Sequence, residues 1–169
     1  MKIIFLDFDG VLNPNLFEII LQKMEQLSNN EIVSKDKYGP LFFNQNVSVL
    51  KNIIDKTNAK IVVSSSWKSD GLSQLKEMWV DRNLPGEIID ITPSCVEVVD
   101  NGFAEFYDQV SRGDEINLWL FKNQFNGVYV IIDDQLDILD NQITNFVKID
   151  KMFGLTNRDG EQIIKKLNK

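Results

Sequence analysis

The chain of 169 residues contains no histidine and a single cysteine, Cys95. The first absence removes Ser-His and Cys-His nucleophile pairs and any histidine-ligated zinc site. Acid–base work then falls to Asp, Glu, Lys or Tyr, and a metal would be held by oxygen. One cysteine cannot form an internal disulfide, which fits a reducing compartment and makes the cytoplasm the expected location. No stretch is apolar for long enough to span a membrane, and Met1-Lys2 leads straight into an apolar strand without the pattern of a cleaved signal. Positive charge is scarce as well, with 18 Lys and Arg against 25 Asp and Glu, a net charge of -7. That balance argues against extended contact with duplex nucleic acid, but it leaves room for a local basic pocket around one phosphate.

The residues that are present describe an ordinary globular chain, 43% hydrophobic and 25% charged, with the length of one domain around one core. The expected organisation is a single domain over 1–169 with a small insertion at about 14–46. Its most informative stretch is Lys2 to Asn13, KIIFLDFDGVLN. An apolar run reads as a buried strand and ends in Asp7 and Asp9, followed at once by Gly10. Residues two apart point the same way while a strand continues. Two carboxylates on one face repel each other unless a cation lies between them, and oxygen-only ligation suits Mg2+.

Further along, apolar spacing predicts helices over Leu16–Leu27, ended by Ser28-Asn29-Asn30, then over Val47–Lys56, Gly71–Arg82, a segment starting at Arg112, and Arg158–Leu167. Strands are expected at Lys60–Val63, Glu87–Ile91, Val128–Ile132 and Phe146–Ile149. Glu31 to Asn46 reads as an insertion beside the site, Val96 to Tyr107 has no clear pattern, and Asp137 to Asn141 suits a short helical turn. Alternating strands and helices give an α/β fold, a three-layer Rossmann-like sandwich with a mainly parallel central sheet and a small cap or none. In such sheets ligands bind beyond the carboxyl ends of the strands. Polar clusters fall at three of those ends: Asp7/Asp9, Ser64–Ser66 and Asp133/Asp134.

The order strand-Asp-x-Asp-Gly, strand-Ser, a basic residue, then strand-Asp-Asp resembles the haloacid-dehalogenase-like (HAD) superfamily of phosphotransferases, over nearly the whole chain. LDFDGVLN, IVVSSSWK, RGDEI followed by WL, IIDD and GLT look like the branch found as the HAD domain of "Swiss Army Knife" RNA repair proteins. The resemblance implies a Mg2+-dependent phosphatase. Asp7 would be the nucleophile that becomes an aspartyl-phosphate, and Asp9 the acid and then the base. Asp7, Asp9 (through its carbonyl), Asp133 and Asp134 would hold the metal. Gly10 would let the chain turn beside the phosphate, and Ser64 or Ser65 would bind a phosphate oxygen, with Ser66 not excluded. Arg112 is favoured as the cation facing the phosphate, and Lys68 competes with it. The implied substrates are a phosphorylated small molecule, a nucleotide or a nucleic-acid end.

Plainer readings stand beside these. The serine run would serve as a helix cap, Arg112 would pair with Asp114 or Glu115, and Cys95 would be an inert buried thiol. Trp67, Trp79 and Trp119 read as core, Tyr38, Phe42 and Phe43 as a packed insertion rather than a lid. The alternative to an enzyme is a catalytically idle HAD-like module acting by binding. Receiver and TOPRIM domains also put carboxylates at strand ends, but neither has Asp-x-Asp first and Asp-Asp last.

Overall fold

The computed structural model describes residues 1–28 and 32–169. A five-stranded parallel sheet is built from β1 (Lys2–Leu6), β4 (Lys60–Val63), β5 (Ile88–Ile91), β6 (Val128–Asp133) and β7 (Phe146–Lys148). Two short strands, β2 (Lys35–Asp36) and β3 (Gly39–Pro40), form a separate antiparallel hairpin. The helices are α1 (Asn15–Ser28), α2 (Asn44–Thr57), α3 (Leu72–Asp81), α4 (Cys95–Asp100), α5 (Arg112–Lys122) and α6 (Asn157–Leu167).

The sheet order is β5-β4-β1-β6-β7. From β1 the chain winds outward to β4 and β5, then returns to the other side of β1 for β6 and β7. The reversal lies between β1 and β6, where a doubly wound sheet opens a crevice for its ligand. β1 is central and buried on both sides, which explains its unbroken apolar run: Ile3, Ile4, Phe5 and Leu6 are all fully buried. One face of the sheet, with Ile4, Leu6, Val63 and Ile132, packs against Leu50 and Ile53 of α2, Met78 of α3, and Ile163 and Leu167 of α6. The opposite face, with Ile3, Phe5, Val62 and Ile131, is covered by Ile116 and Trp119 of α5. Asp7, Ser64 and Asp133 continue the alternation of this second face, so α5 is the helix whose start meets them.

Several boundaries differ from the sequence expectations. The region read as irregular up to Asn46 contains the β2-β3 hairpin, and α2 begins at Asn44. Apolar periodicity misses this first turn because its inward residue is polar: buried Asn46 donates to the carbonyls of Phe153 and Leu155 at 3.0 and 2.9 Å. The patternless Val96–Tyr107 holds α4, whose Ser94 and Glu97 form a reciprocal capping box. The expected turn of helix at Asp137–Asn141 is a 3-10 helix at Asp140–Asn145. The helix stop expected at Ser28-Asn29-Asn30, and Glu31 at the start of the insertion, fall at or outside the limits of the described residues. Cys95 is not buried: it opens α4 just after the Ser94 cap and faces solvent. Among the described residues no helix is long and apolar enough to cross a membrane.

Candidate active site

The carboxyl ends of β1 and β6 meet at a cleft of about 300 Å³ lined by Asp7, Asp9, Gly10, Arg112 and Asp134, with Ser66, Asn15, Gln135 and Lys151 around its rim. One carboxylate oxygen each of Asp7, Asp133 and Asp134 lies within 4.8 Å of the others. Asp7 and Asp133 are buried, and Asp134 is half-buried. Burial pushes the Asp7 carboxyl up to about 6, with Arg112 pulling it back. Burial, then the neighbouring Asp7, pushes Asp133 up to about 7. Two carboxylates held this far above their ordinary range form a site that a hard cation would complete by supplying the missing positive charge. The all-oxygen donor set, with two of its three members buried, fits Mg2+.

Gly10 shows how closely the two strand ends approach. Its φ of +72° lies in the left-handed region, and a Cβ there would sit 2.7 Å from Cγ of Asp134. Both the turn and the contact therefore require glycine.

Arg112 is delivered by the start of α5. Ser111 caps the helix in a reciprocal box with Asp114. The N–H groups of Arg112 and Gly113 donate to the side chain and carbonyl of Asp137, both at 2.9 Å. A Cβ on Gly113 would lie 2.5 Å from the backbone nitrogen of Leu139, so the loop after β6 packs directly against this first turn. Held there, the Arg112 guanidinium reaches Asp133 at 3.7 Å and donates to the main-chain carbonyl of Ser64. Arg112 does not make the surface pair with Asp114 or Glu115. Asp114 is taken by its cap, and Glu115 by Lys68.

Lys68, the competing cation, is not in this cleft. Its ammonium lies 2.5 Å from Glu115 and donates to the Pro93 carbonyl at 2.9 Å and the Thr92 hydroxyl at 3.1 Å. Helix α5 draws it there: Glu115 sits one turn inward from Arg112 and is itself buried. The Lys68 side chain, expected to face the phosphate, thus points to Glu115 and is not among the residues that line the cleft. The serines also separate. Ser64 offers Arg112 its carbonyl, Ser66 is exposed at the cleft wall, and the Ser65 hydroxyl lies beside Asp7 and opposes the rise of its pKa. The side-chain oxygens of Ser64 and Ser65 are buried without a hydrogen-bonding partner of ordinary geometry.

Asp9 shares the cleft with Asp7 but differs from it in burial and in partners. It is exposed, and its carboxylate is not in the three-membered cluster. It accepts a hydrogen bond from the Trp67 indole N–H at 2.9 Å. Trp67, expected as core, is only half-buried. Its ring packs edge-on against Phe8, tilts against Phe42 at 5.6 Å, and has the Arg82 guanidinium 5.8 Å away. Arg82 is in turn paired through two nitrogens to Asp36 of the hairpin. Phe42 is buried, which makes the aromatic insertion a packed support for Trp67. Sequence reading missed this contact, and it also missed Lys151. The latter follows β7 within three residues, a strand-end position of the same kind that singled out the other polar clusters.

A parallel sheet with this switch point, an Asp-x-Asp-Gly turn on its central strand and an acidic pair on the next strand has the HAD-like, Rossmann-type architecture. The chain belongs to the family described as the HAD domain in Swiss Army Knife RNA repair proteins, whose model matches residues 3–159. This membership places it with the HAD-type hydrolases. No curated protein and no solved structure matches the chain.

Proposed function

We propose that this chain is a Mg2+-dependent phosphomonoesterase that works through an aspartyl-phosphate on Asp7. The observation that carries the reading is the convergence of Asp7, Asp133 and Asp134 within 4.8 Å, with Arg112 beside them, in a cleft at the sheet's switch point. Asp7, Asp133 and Asp134 would hold the metal through side chains, and Asp9 would contribute its backbone carbonyl. The ion supplies positive charge that lets an anionic ester approach an anionic nucleophile.

The chain's own residues divide the remaining work. An Asp7 oxygen attacks phosphorus and the ester P–O bond breaks. Asp9, exposed at the cleft and held by Trp67, gives its proton to the departing oxygen. Water then attacks the acyl phosphate and Asp9 takes up its proton. The bond between phosphorus and Asp7 breaks, and inorganic phosphate leaves. Arg112 neutralises the transferring group, and the unpartnered Ser65 hydroxyl donates to one of its oxygens. The described residues of the segment 14–46 provide a helix and a hairpin rather than a large cap, so the site stays open to a nucleotide or a nucleic-acid end. An acidic chain with a single cysteine fits a cytoplasmic enzyme acting on chain ends rather than on long duplexes.

The test is phosphate release, with and without Mg2+, from a panel of nucleotides, phosphorylated RNA ends and small phosphoesters by the wild type and by Asp7→Asn. Release that needs the metal and disappears in the variant supports the proposal. Full activity in Asp7→Asn removes the nucleophile. No release from any substrate leaves the binding-module reading.

A further inference from the structure

The catalytic cleft does not end at the metal-binding carboxylates. Beyond Asp134 and Gln135 it continues into a second depression of about 620 Å³, whose remaining lining is Lys148, Ile149, Asp150 and Lys151. Lys151, Asp134 and Gln135 line both spaces. The two depressions are therefore neighbours on one surface, with Lys151 lining both and Lys148 lining the second alone.

The charges in this second space are unequally committed. Asp150 accepts a hydrogen bond from the Met152 backbone N–H at 2.9 Å, and Asp134 belongs to the three-carboxylate cluster. Lys148 and Lys151 are exposed, and among the described residues neither forms an ion pair. In a chain with a net charge of -7, these two lysines balance Asp134 and Asp150 in the lining, and their ammonium groups remain free to meet an anion.

Their backbone is also fixed. Lys148 ends β7 opposite Asp133, and the next residue, Ile149, donates to the Asp133 carbonyl at 2.9 Å. The carbonyls of Lys151 and Met152 accept from the N–H groups of Asn15 and Leu16 at 2.9 and 3.0 Å. Gly154, with φ +68°, packs so closely that a Cβ would lie 2.6 Å from the Val11 carbonyl. The loop carrying Lys151 is thus tied to the turn that follows Asp9 and Gly10.

We propose that this depression is a second anion subsite, which takes the neighbouring phosphate of a substrate whose terminal phosphate lies at Asp7. The substrate class is then a nucleotide bearing at least two phosphates on separate ester positions, either a nucleoside bisphosphate or the phosphorylated end of a single strand. This rests on the phosphomonoesterase reading and adds to it a preference that the three carboxylates and Arg112 do not supply. Lysine suits the task, because an exposed ammonium on a flexible stem follows a mobile backbone phosphate without demanding one geometry.

The test compares kcat/KM for a nucleoside monophosphate, the matching nucleoside 3′,5′-bisphosphate, and a short single strand carrying the same terminal phosphate. The expected result is a preference of about tenfold for the substrates with a second phosphate, consistent with two exposed charge contacts. Lys148→Glu should reduce that ratio to about one, and the salt dependence for the strand should become shallower by about one phosphate contact. A preference for the strand but not the bisphosphate assigns the subsite to a chain backbone, and equal preference assigns it to any adjacent phosphate. Equal kcat/KM for all three substrates, or a ratio untouched by Lys148→Glu, overturns the proposal. If the wild type releases phosphate from none of them, the phosphatase reading fails separately. Equilibrium binding of the same three compounds, with and without Lys148→Glu, then still decides the subsite: tighter binding of the two-phosphate compounds that Lys148→Glu abolishes supports it, and its absence overturns it.

Discussion

Replacing Lys68 by methionine should separate structural charge from catalytic charge. The Lys68 ammonium and the Glu115 carboxylate meet at 2.5 Å, with side-chain exposures of only 16% and 9%. Lys68 is nevertheless held below the ordinary lysine range, because the burial of its charge outweighs the attraction of Glu115. Such a pair contributes little over an apolar pair of the same size, yet breaking one side is expensive. In Lys68→Met the Glu115 carboxylate keeps, among the described residues, the Thr92 hydroxyl at 3.2 Å and the Cys95 thiol at 3.9 Å. The expected cost is about 3–5 kcal/mol for an uncompensated buried charge. In a chain of this length that corresponds to a fall in Tm of roughly 10 °C. The double variant Lys68→Met/Glu115→Met removes both charges and should recover most of the loss, leaving a deficit of about 1 kcal/mol. Urea unfolding of the wild type, the two single variants and the double variant gives the coupling energy directly. A coupling under about 0.5 kcal/mol would show a solvent-screened pair and refute the reasoning. A folded Lys68→Met protein that loses phosphatase activity as steeply as an Arg112 variant would put Lys68 back beside the phosphate.

Other perturbations act on the cleft itself. With carboxyls raised to about 6 at Asp7 and about 7 at Asp133, these two groups should favour the folded metal-free protein in acid and oppose it as pH rises. The stabilising contribution of each group is complete below the ordinary carboxylate range and is lost as pH rises through the raised value. At pH 8 the loss is on the order of 3 kcal/mol for Asp7 and about 4 kcal/mol for Asp133, less than additive for the pair. Thermal melts with Mg2+ should therefore gain far more at pH 8 than at pH 5, and equal gains would remove the metal from these carboxylates. Arg112→Met should lower kcat/KM by about a hundredfold or more and move Mg2+ binding to higher pH, because the guanidinium holds both carboxyls down. Titration calorimetry across pH checks the second effect. Trp67→Phe keeps a ring against Phe8 but removes the hydrogen bond to Asp9; kcat should fall about tenfold, with KM nearly constant. An unchanged kcat would make Trp67 a packing residue only.

The sheet and the carboxylates at the ends of its strands were legible in the sequence. β1 reads correctly because a central parallel strand must be apolar on both faces, and the abrupt change to Asp7 and Asp9 marks where it leaves the core. Periodicity also found the helices that cover the sheet, since Leu50, Ile53, Ile163 and Leu167 must be apolar for the layers to close. It misplaced the start of α2, where the inward residue is a polar Asn46 bonded to a distant loop. The two candidate cations part company only in three dimensions. Arg112 and Lys68 lie 44 positions apart, and each is basic beside a polar cluster. The difference is that Glu115, one turn along α5, is buried where Lys68 can reach it, leaving Arg112 to face Asp133. The same holds for Trp67 on Asp9 and for Lys151 at the rim. Which side chains share a cleft depends on how loops far apart in the chain pack together, and local periodicity carries no record of those distances.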